Sequence, residues 1–119
     1  MLFGYTGHDT YVFRSLAELG NGANADTVFD DMAEDDVIDL SAIDADTTTP
    51  GNQAFQPFTF VQGDWNPPQA FTGVAGQIIE NYDADLGEYL VQFDVNGDAV
   101  ADAALWVAGY GAATANFIL

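Results

Sequence analysis

The stretch Asp94-Val-Asn96-Gly-Asp98-Ala-Val-Ala-Asp102 is where side-chain type and spacing agree most closely on a chemistry. Oxygen-bearing side chains fall at relative positions 1, 3, 5 and 9, and the main-chain carbonyl of Val100 is available at position 7, matching the first nine positions of a calcium loop. Two positions depart from that pattern. Ala99 stands at position 6, where glycine makes the sharp turn, and Leu105 at position 12, where a bidentate glutamate would close the coordination shell. Holding alanine in the left-handed region costs on the order of 1 kcal/mol. The residues therefore leave two readings open, a bound calcium ion or an acidic hairpin turn without one.

A second acidic stretch runs from Asp26 to Ser41, where seven of sixteen residues are carboxylates. Like charges this dense repel unless solvent, salt or a bound cation separates them, and a hard oxygen-seeking cation suits clustered carboxylates. Val28, Val37, Ile38 and Leu40 sit between the charges in strand-like spacing, so the ends read as short strands and the middle as an acidic turn.

Catalytic chemistry has little to work with. His8 is the single histidine, no His-Glu-x-x-His helix or glycine-rich phosphate loop is present, and neither Ser15 nor Ser41 lies on a nucleophile elbow. With 19 acidic residues, two neighbouring carboxylates arise by chance, so none is marked as a general acid. The expectation is a protein without catalysis of its own.

One Arg, no Lys and 19 Asp plus Glu give a net charge of -18, which repels nucleic acid and anionic membrane surfaces and favours cations. Apolar residues make up 49% of the chain, enough for a core, and 119 residues suit one domain spanning 1–119. There is no Cys, so disulfides and thiolate metal sites are excluded. The N-terminus lacks the pattern of a removable signal peptide. The uncharged run Ala103 to Leu119 is too short and small-residue-rich for a membrane span and reads as buried strand.

These residues must be positioned by a mostly β chain with little helix. Gly4 to Phe13 reads as a turn, an Asp ligand at Asp9 and a strand burying Tyr11 and Phe13. Ser15 with Glu18 suggests a capping box for one helical turn ended by Gly20, with a plain loop as the alternative. Phe55 to Val61, interrupted by Pro57, suggests an edge strand, and Trp65 in the following loop a lid over the core. From Gly76 onward a meander is expected: Ile78 and Tyr82 with polar Glu80 between them, a turn over Asp83 to Gly87, then Tyr89, Val91, Phe93 and Val95 on one face. Asn96-Gly97 signals a hairpin into a strand through Ala103, Leu105 and Val107, with Phe117 to Leu119 as a final strand beside it.

Several blocks, in order, carry a family resemblance. Gly4-Tyr-Thr-Gly7-His-Asp9-Thr-Tyr-Val-Phe resembles a degenerate glycine-rich nonapeptide of RTX β-rolls. Asp26-Thr-Val-Phe-Asp30, Asp36-Val-Ile-Asp39-Leu-Ser, Phe71-Thr-Gly-Val-Ala-Gly-Gln, Asp94-Val-Asn-Gly-Asp98 and the terminal Asn116-Phe-Ile-Leu119 resemble the C-terminal domain of serralysin-type proteases and related type I secreted proteins. The resemblance implies a partial β-roll turn leading into a β-sandwich or meander, which binds calcium, caps a β-roll and carries an uncleaved secretion signal at Asn116, Phe117, Ile118 and Leu119. It further implies an extracellular bacterial protein, a type I exporter as partner and an upstream passenger domain. Calcium ligands implied by the resemblance are Asp9 and Asp26, with Asp36 nearby. Asp94, Asn96, Asp98 and Asp102 rest on resemblance and spacing together. Tyr5 replaces the second glycine of the nonapeptide, Asp31 and Glu34 replace the family's usual Phe and Gly, and Asn116 replaces its usual acid. A different class of function, a surface adhesion or carbohydrate-binding module, is suggested by Trp65, Trp106, Tyr82 and Tyr110 on a β scaffold.

Overall fold

The computed structural model describes residues 2–3, 7, 9–29, 37–55, 70–108 and 116–119. Among them lie strands β1 (Leu2–Phe3), β2 (Thr10–Val12), β3 (Asp26–Phe29), β4 (Val37–Asp39), β5 (Gln77–Asp83), β6 (Glu88–Asp94), β7 (Ala103–Ala108) and β8 (Asn116–Ile118), with the one-turn helix α1 (Leu16–Leu19). The chain is mostly β with little helix, as its alternation of β-branched and aromatic residues predicts.

The described residues form two sheets, a five-stranded one in the order β1-β3-β7-β6-β5 and a three-stranded one in the order β2-β4-β8. The chain passes between them at each step: β1 to β2, β3 to β4, and finally β7 to β8. Each strand lies parallel to its counterpart in the next turn, with Leu2 opposite Val28 and Thr10 opposite Val37. Val28 in turn faces Val107, and Val37 faces Asn116. The result is a coil of three turns, the partial β-roll that the N-terminal motif suggests. The first two turns follow directly in sequence, whereas the third is reached only after residues 40–102.

Within that insertion β5 and β6 form an antiparallel hairpin, and β6 pairs antiparallel with β7, so the hairpin extends the larger sheet beyond the coil. The expected meander is present. Its first turn is tied by the Asp83 carboxylate, whose Oδ1 accepts the Asp85 and Leu86 N–H groups at 2.9 and 3.2 Å. Tyr11 and Ile38 of the small sheet and Val28, Ile78, Val91, Phe93, Leu105 and Val107 of the large one share a single buried cluster. Burying each such side chain contributes roughly 1.5–3 kcal/mol, and the cluster holds the two sheets together.

The strands flanking the acidic stretch lie apart, β3 in one sheet and β4 in the other. Three expectations are corrected. Asn96-Gly97 does not make a two-residue turn: Phe93 is opposite Ala103, and residues 95–102 form one long loop. Asn116–Ile118 lies beside β4 rather than the Leu105 strand, with the Leu40 N–H donated to the Ile118 carbonyl at 2.8 Å. Glu80 shares the side-chain parity of Ile78, so it belongs to the buried face rather than alternating away from it.

Around α1 the expected capping box is not made. Ser15 is the N-cap residue without a side-chain cap bond, while Glu18 Oε2 accepts the Arg14 main-chain N–H at 2.6 Å. Gly20 ends the helix at φ 74, where an added Cβ would sit 2.1 Å from the Asn24 carbonyl oxygen. Only glycine fits there. His8, Pro57 and Trp65 lie outside the described residues, as do the strand reading beyond Phe55 and the acidic turn at 30–36.

Candidate functional site

The loop at 95–102 is organised by a carboxylate that the solvent does not reach. Asp94, the last residue of β6, has no exposed surface. Its Oδ1 accepts the main-chain N–H groups of Asn96 and Gly97 at 3.2 and 2.7 Å, and its Oδ2 accepts that of Ala99 at 2.9 Å. Three donors on one carboxylate compensate its burial and wrap the chain around it.

The remaining polar residues repeat the same local device. Asn96 Oδ1 accepts the Asp98 N–H at 3.0 Å, and Asp98 Oδ1 accepts the Val100 N–H at 2.9 Å. Asp102 closes the loop from the far side: its Oδ2 accepts the Val95 N–H at 2.8 Å and its Oδ1 accepts an N–H from the Asn96 amide at 3.1 Å. The backbone turns through the left-handed region twice, at Gly97 with φ 76 and at Ala99 with φ 64. Ala99 is the one non-glycine residue with positive φ among the described residues, at the position where the calcium-loop pattern calls for glycine.

One carboxylate oxygen from each of Asp94, Asp98 and Asp102 lies within 4.8 Å of the other two. Calcium holds oxygens at 2.3–2.6 Å, so two ligands of one ion stand at most about 5 Å apart, and this spread fits. A carboxylate has about four acceptor sites, so Asp94, accepting three N–H groups, retains roughly one for a cation. Leu105, at the twelfth position, is fully buried in β7 and brings no oxygen. The donor set therefore comprises these three carboxylates, with Asn96 and Val100, both exposed residues, offering a side-chain amide oxygen and a main-chain carbonyl on the same loop.

The loop is anchored to distant parts of the chain. The Val95 carbonyl accepts both the N–H and the hydroxyl of Thr47, at 2.9 and 3.1 Å. The Ala101 carbonyl accepts an N–H of the Asn21 amide at 2.8 Å, and the Asp94 carbonyl accepts the Gly76 N–H at 2.7 Å. An added Cβ on Gly97 would meet Ala75 N at 3.1 Å and Gly73 O at 3.3 Å. Residues near 21, 47 and 73–76 thus converge on one loop.

The other predicted ligands are placed differently. Asp9 immediately precedes β2 in the small sheet, and its carbonyl accepts the Val37 N–H at 2.8 Å. Asp26 opens β3 in the large sheet, opposite Leu105, with its Oδ1 accepting the Thr27 N–H at 2.9 Å. Asp36 lies outside the described residues. Among the described residues, the one group of three or more metal-binding side chains is that of Asp94, Asp98 and Asp102.

The aromatic residues separate in a similar way. Trp65 and Tyr110 lie outside the described residues, and Tyr82 stands opposite Tyr89 in the hairpin. Trp106 is half-buried on the outer face of the large sheet, where it and Leu90 border two shallow depressions of about 270 and 210 Å³. Asn81 and Asp83 line the first depression, Gln92 and Asn21 the second.

Sequence spacing finds the members of the acidic loop but not the organising role of Asp94. The Asn-Gly two residues after it is the available signal, since Asp followed by a turn-forming pair binds its own downstream N–H groups. A family model described as Peptidase M10 serralysin C terminal matches residues 2–119. No curated protein matches the chain.

Proposed function

We propose, for a chain that belongs to the Peptidase M10 serralysin C-terminal family, a non-catalytic calcium-binding role as the C-terminal domain of a type I secreted bacterial protein. The observation that carries this reading is the convergence of Asp94, Asp98 and Asp102 on one point within a loop already shaped for them. Asp94, Asp98 and Asp102 would hold the ion, with Asn96 on the same loop. The ion would supply positive charge to three crowded carboxylates. Because the loop is bonded to residues near 21, 47 and 76, neutralising it would stabilise more of the fold than the hairpin alone.

Asp9, Asp26 and Asp36 form the proposed N-terminal calcium region. Support comes from the coil: Thr10 and Val37 are register partners, so Asp9 and Asp36 precede equivalent strand positions of successive turns. Capping of a β-roll is supported by the sheet order, in which β1 and β2, the two strands of the first turn, are both terminal. Their outer edges suit pairing with preceding parallel strands of an upstream passenger. Asn116, Phe117, Ile118 and Leu119 are the proposed export signal, recognised by a type I exporter before the protein reaches the extracellular space. In the folded protein three of these residues form β8.

The alternative, a carbohydrate-binding module, draws support from Trp106 and Leu90 on the open sheet face, bordered by amide and carboxylate side chains. Calorimetric titration with calcium separates the two readings. The calcium reading expects saturable binding that is weakened by Asp98→Ala. Absence of calcium binding to the folded chain, together with saturable binding of a neutral oligosaccharide, would reverse the choice.

A further inference from the structure

The β5–β6 hairpin buries a carboxyl group that the calcium reading does not use. Glu80 is 2% exposed and stands opposite Val91. Its face carries Ile78, Val91 and Phe93, all members of the core cluster. Next in the sheet, Leu105 of β7 lies opposite Val91, and Phe55 rests against Phe93 with ring centroids 5.4 Å apart. Glu80 Oε1 is buried with no hydrogen-bond partner.

Among the described residues no cation pairs with it. Among the described residues on this face, the titratable side chains are the phenol of half-buried Tyr89 in β6 and, two strands beyond, Asp26 of β3, opposite Leu105; Tyr11 of the small sheet belongs to the same core cluster. Asp83, Glu88 and Asp94, the other acids of the two strands, have the opposite side-chain parity. The sequence contains no lysine and a single arginine, Arg14, which is exposed beside α1. An unpaired carboxylate in an apolar core is costly, so the group keeps its proton instead. Burial accordingly raises its pKa from 4.5 to about 7.

The hairpin's place in the sheet determines what ionisation would move. Among the described strands β5 is terminal in its sheet, paired to β6 alone, whereas the three-turn coil is held by β3, β4, β7 and β8. A charge forming at Glu80 is therefore relieved with least disruption by moving β5 off the core. We infer that the β5–β6 hairpin is a proton-operated element, sealed against the core while Glu80 is a neutral acid and loosened when it ionises, with the coil left in place. This device is independent of whether the 95–102 loop binds calcium.

The sign follows from linkage. A carboxyl whose folded pKa lies above its unfolded value favours folding most below pH 4.5, and that contribution is lost as pH rises through 7. Between pH 5 and 8.5 the two pKa values give a fall in the folding equilibrium constant on the order of a hundredfold from this group. Urea unfolding of the full chain at both pH values, for wild type and Glu80→Gln, isolates that part from the other acids. The variant is expected to show a pH dependence smaller by that factor, and wild-type β5 amides to lose hydrogen-exchange protection at pH 8.5 while those of β4 keep theirs. Equal pH dependence in the two proteins overturns the proposal. Should Glu80→Gln fail to fold, carbon-13 titration of the wild-type Glu80 carboxyl decides: a midpoint near 7 supports the device, and one near 4.5 overturns it. Each measurement is made with calcium and with chelator, so loss of calcium binding and loss of the proton response are seen separately.

Discussion

Ala99→Gly is the substitution that most directly tests the geometry of the acidic loop. Ala99 sits at φ 64, held there while its N–H is donated to Asp94 Oδ2 at 2.9 Å. Placing a Cβ in this region costs roughly 1–2 kcal/mol. Glycine removes that cost but adds freedom to the unfolded chain, which returns about 0.4–1 kcal/mol. The net expectation is a gain of about 0.5–1 kcal/mol. For 119 residues, with an unfolding entropy of roughly 2.1 cal/mol/K per residue, Tm rises by about 2–4 °C. Thermal unfolding followed by circular dichroism in chelator measures this without any ion, and urea unfolding checks that the m-value is unchanged. A lower or unaltered Tm would refute the assignment of left-handed strain to this residue.

Asp98→Ala should weaken calcium binding measurably by calorimetry while changing stability in chelator by less than about 1 kcal/mol, because Asp98 is exposed and its side chain accepts the Val100 N–H. Saturating calcium at about a thousand times its dissociation constant should add roughly 4 kcal/mol to wild-type stability, and a melting curve indifferent to chelator would count against any bound ion. Gly20→Ala should destabilise by about 2–4 kcal/mol in urea unfolding, since its Cβ collides with the Asn24 carbonyl and its φ is 74. Removing Asn116 to Leu119 should lower Tm as well as export, because β8 pairs with β4; Ile118→Ser, at a position 47% exposed, should spare Tm, so its secretion level reads the signal role separately.

The strands of the meander were legible because period-two alternation at Tyr89, Val91 and Phe93 survives in the folded hairpin. The acidic loop was legible because oxygen ligands at fixed offsets leave a direct trace in sequence. Partner choice was not. Alternation says which face of a strand is buried but not whether its neighbour runs parallel, and β4 and β8 are three residues each, too short to advertise each other. Glu80 shows a further limit: a polar residue inside an alternating run reads as solvent-facing by type, while its parity with Ile78 puts it in the core.

The coil's third turn has a kinetic consequence. Asp26 pairs with Leu105 and Val37 with Asn116, so in both sheets the closing contacts span the same long stretch of chain, whereas Leu2 and Val28 are a third as far apart in sequence. Closing the longer loop costs roughly 1 kcal/mol more in chain entropy than closing the shorter one. More importantly, β7 is the inner strand on which both the coil and the hairpin of the large sheet pair. A chain emerging from its N-terminus can make its first two turns, yet it lacks the strand that joins them to β6 until residue 108, and the small sheet lacks its last member until residue 118. The contacts of high sequence separation that complete both sheets are thus expected to form late in folding.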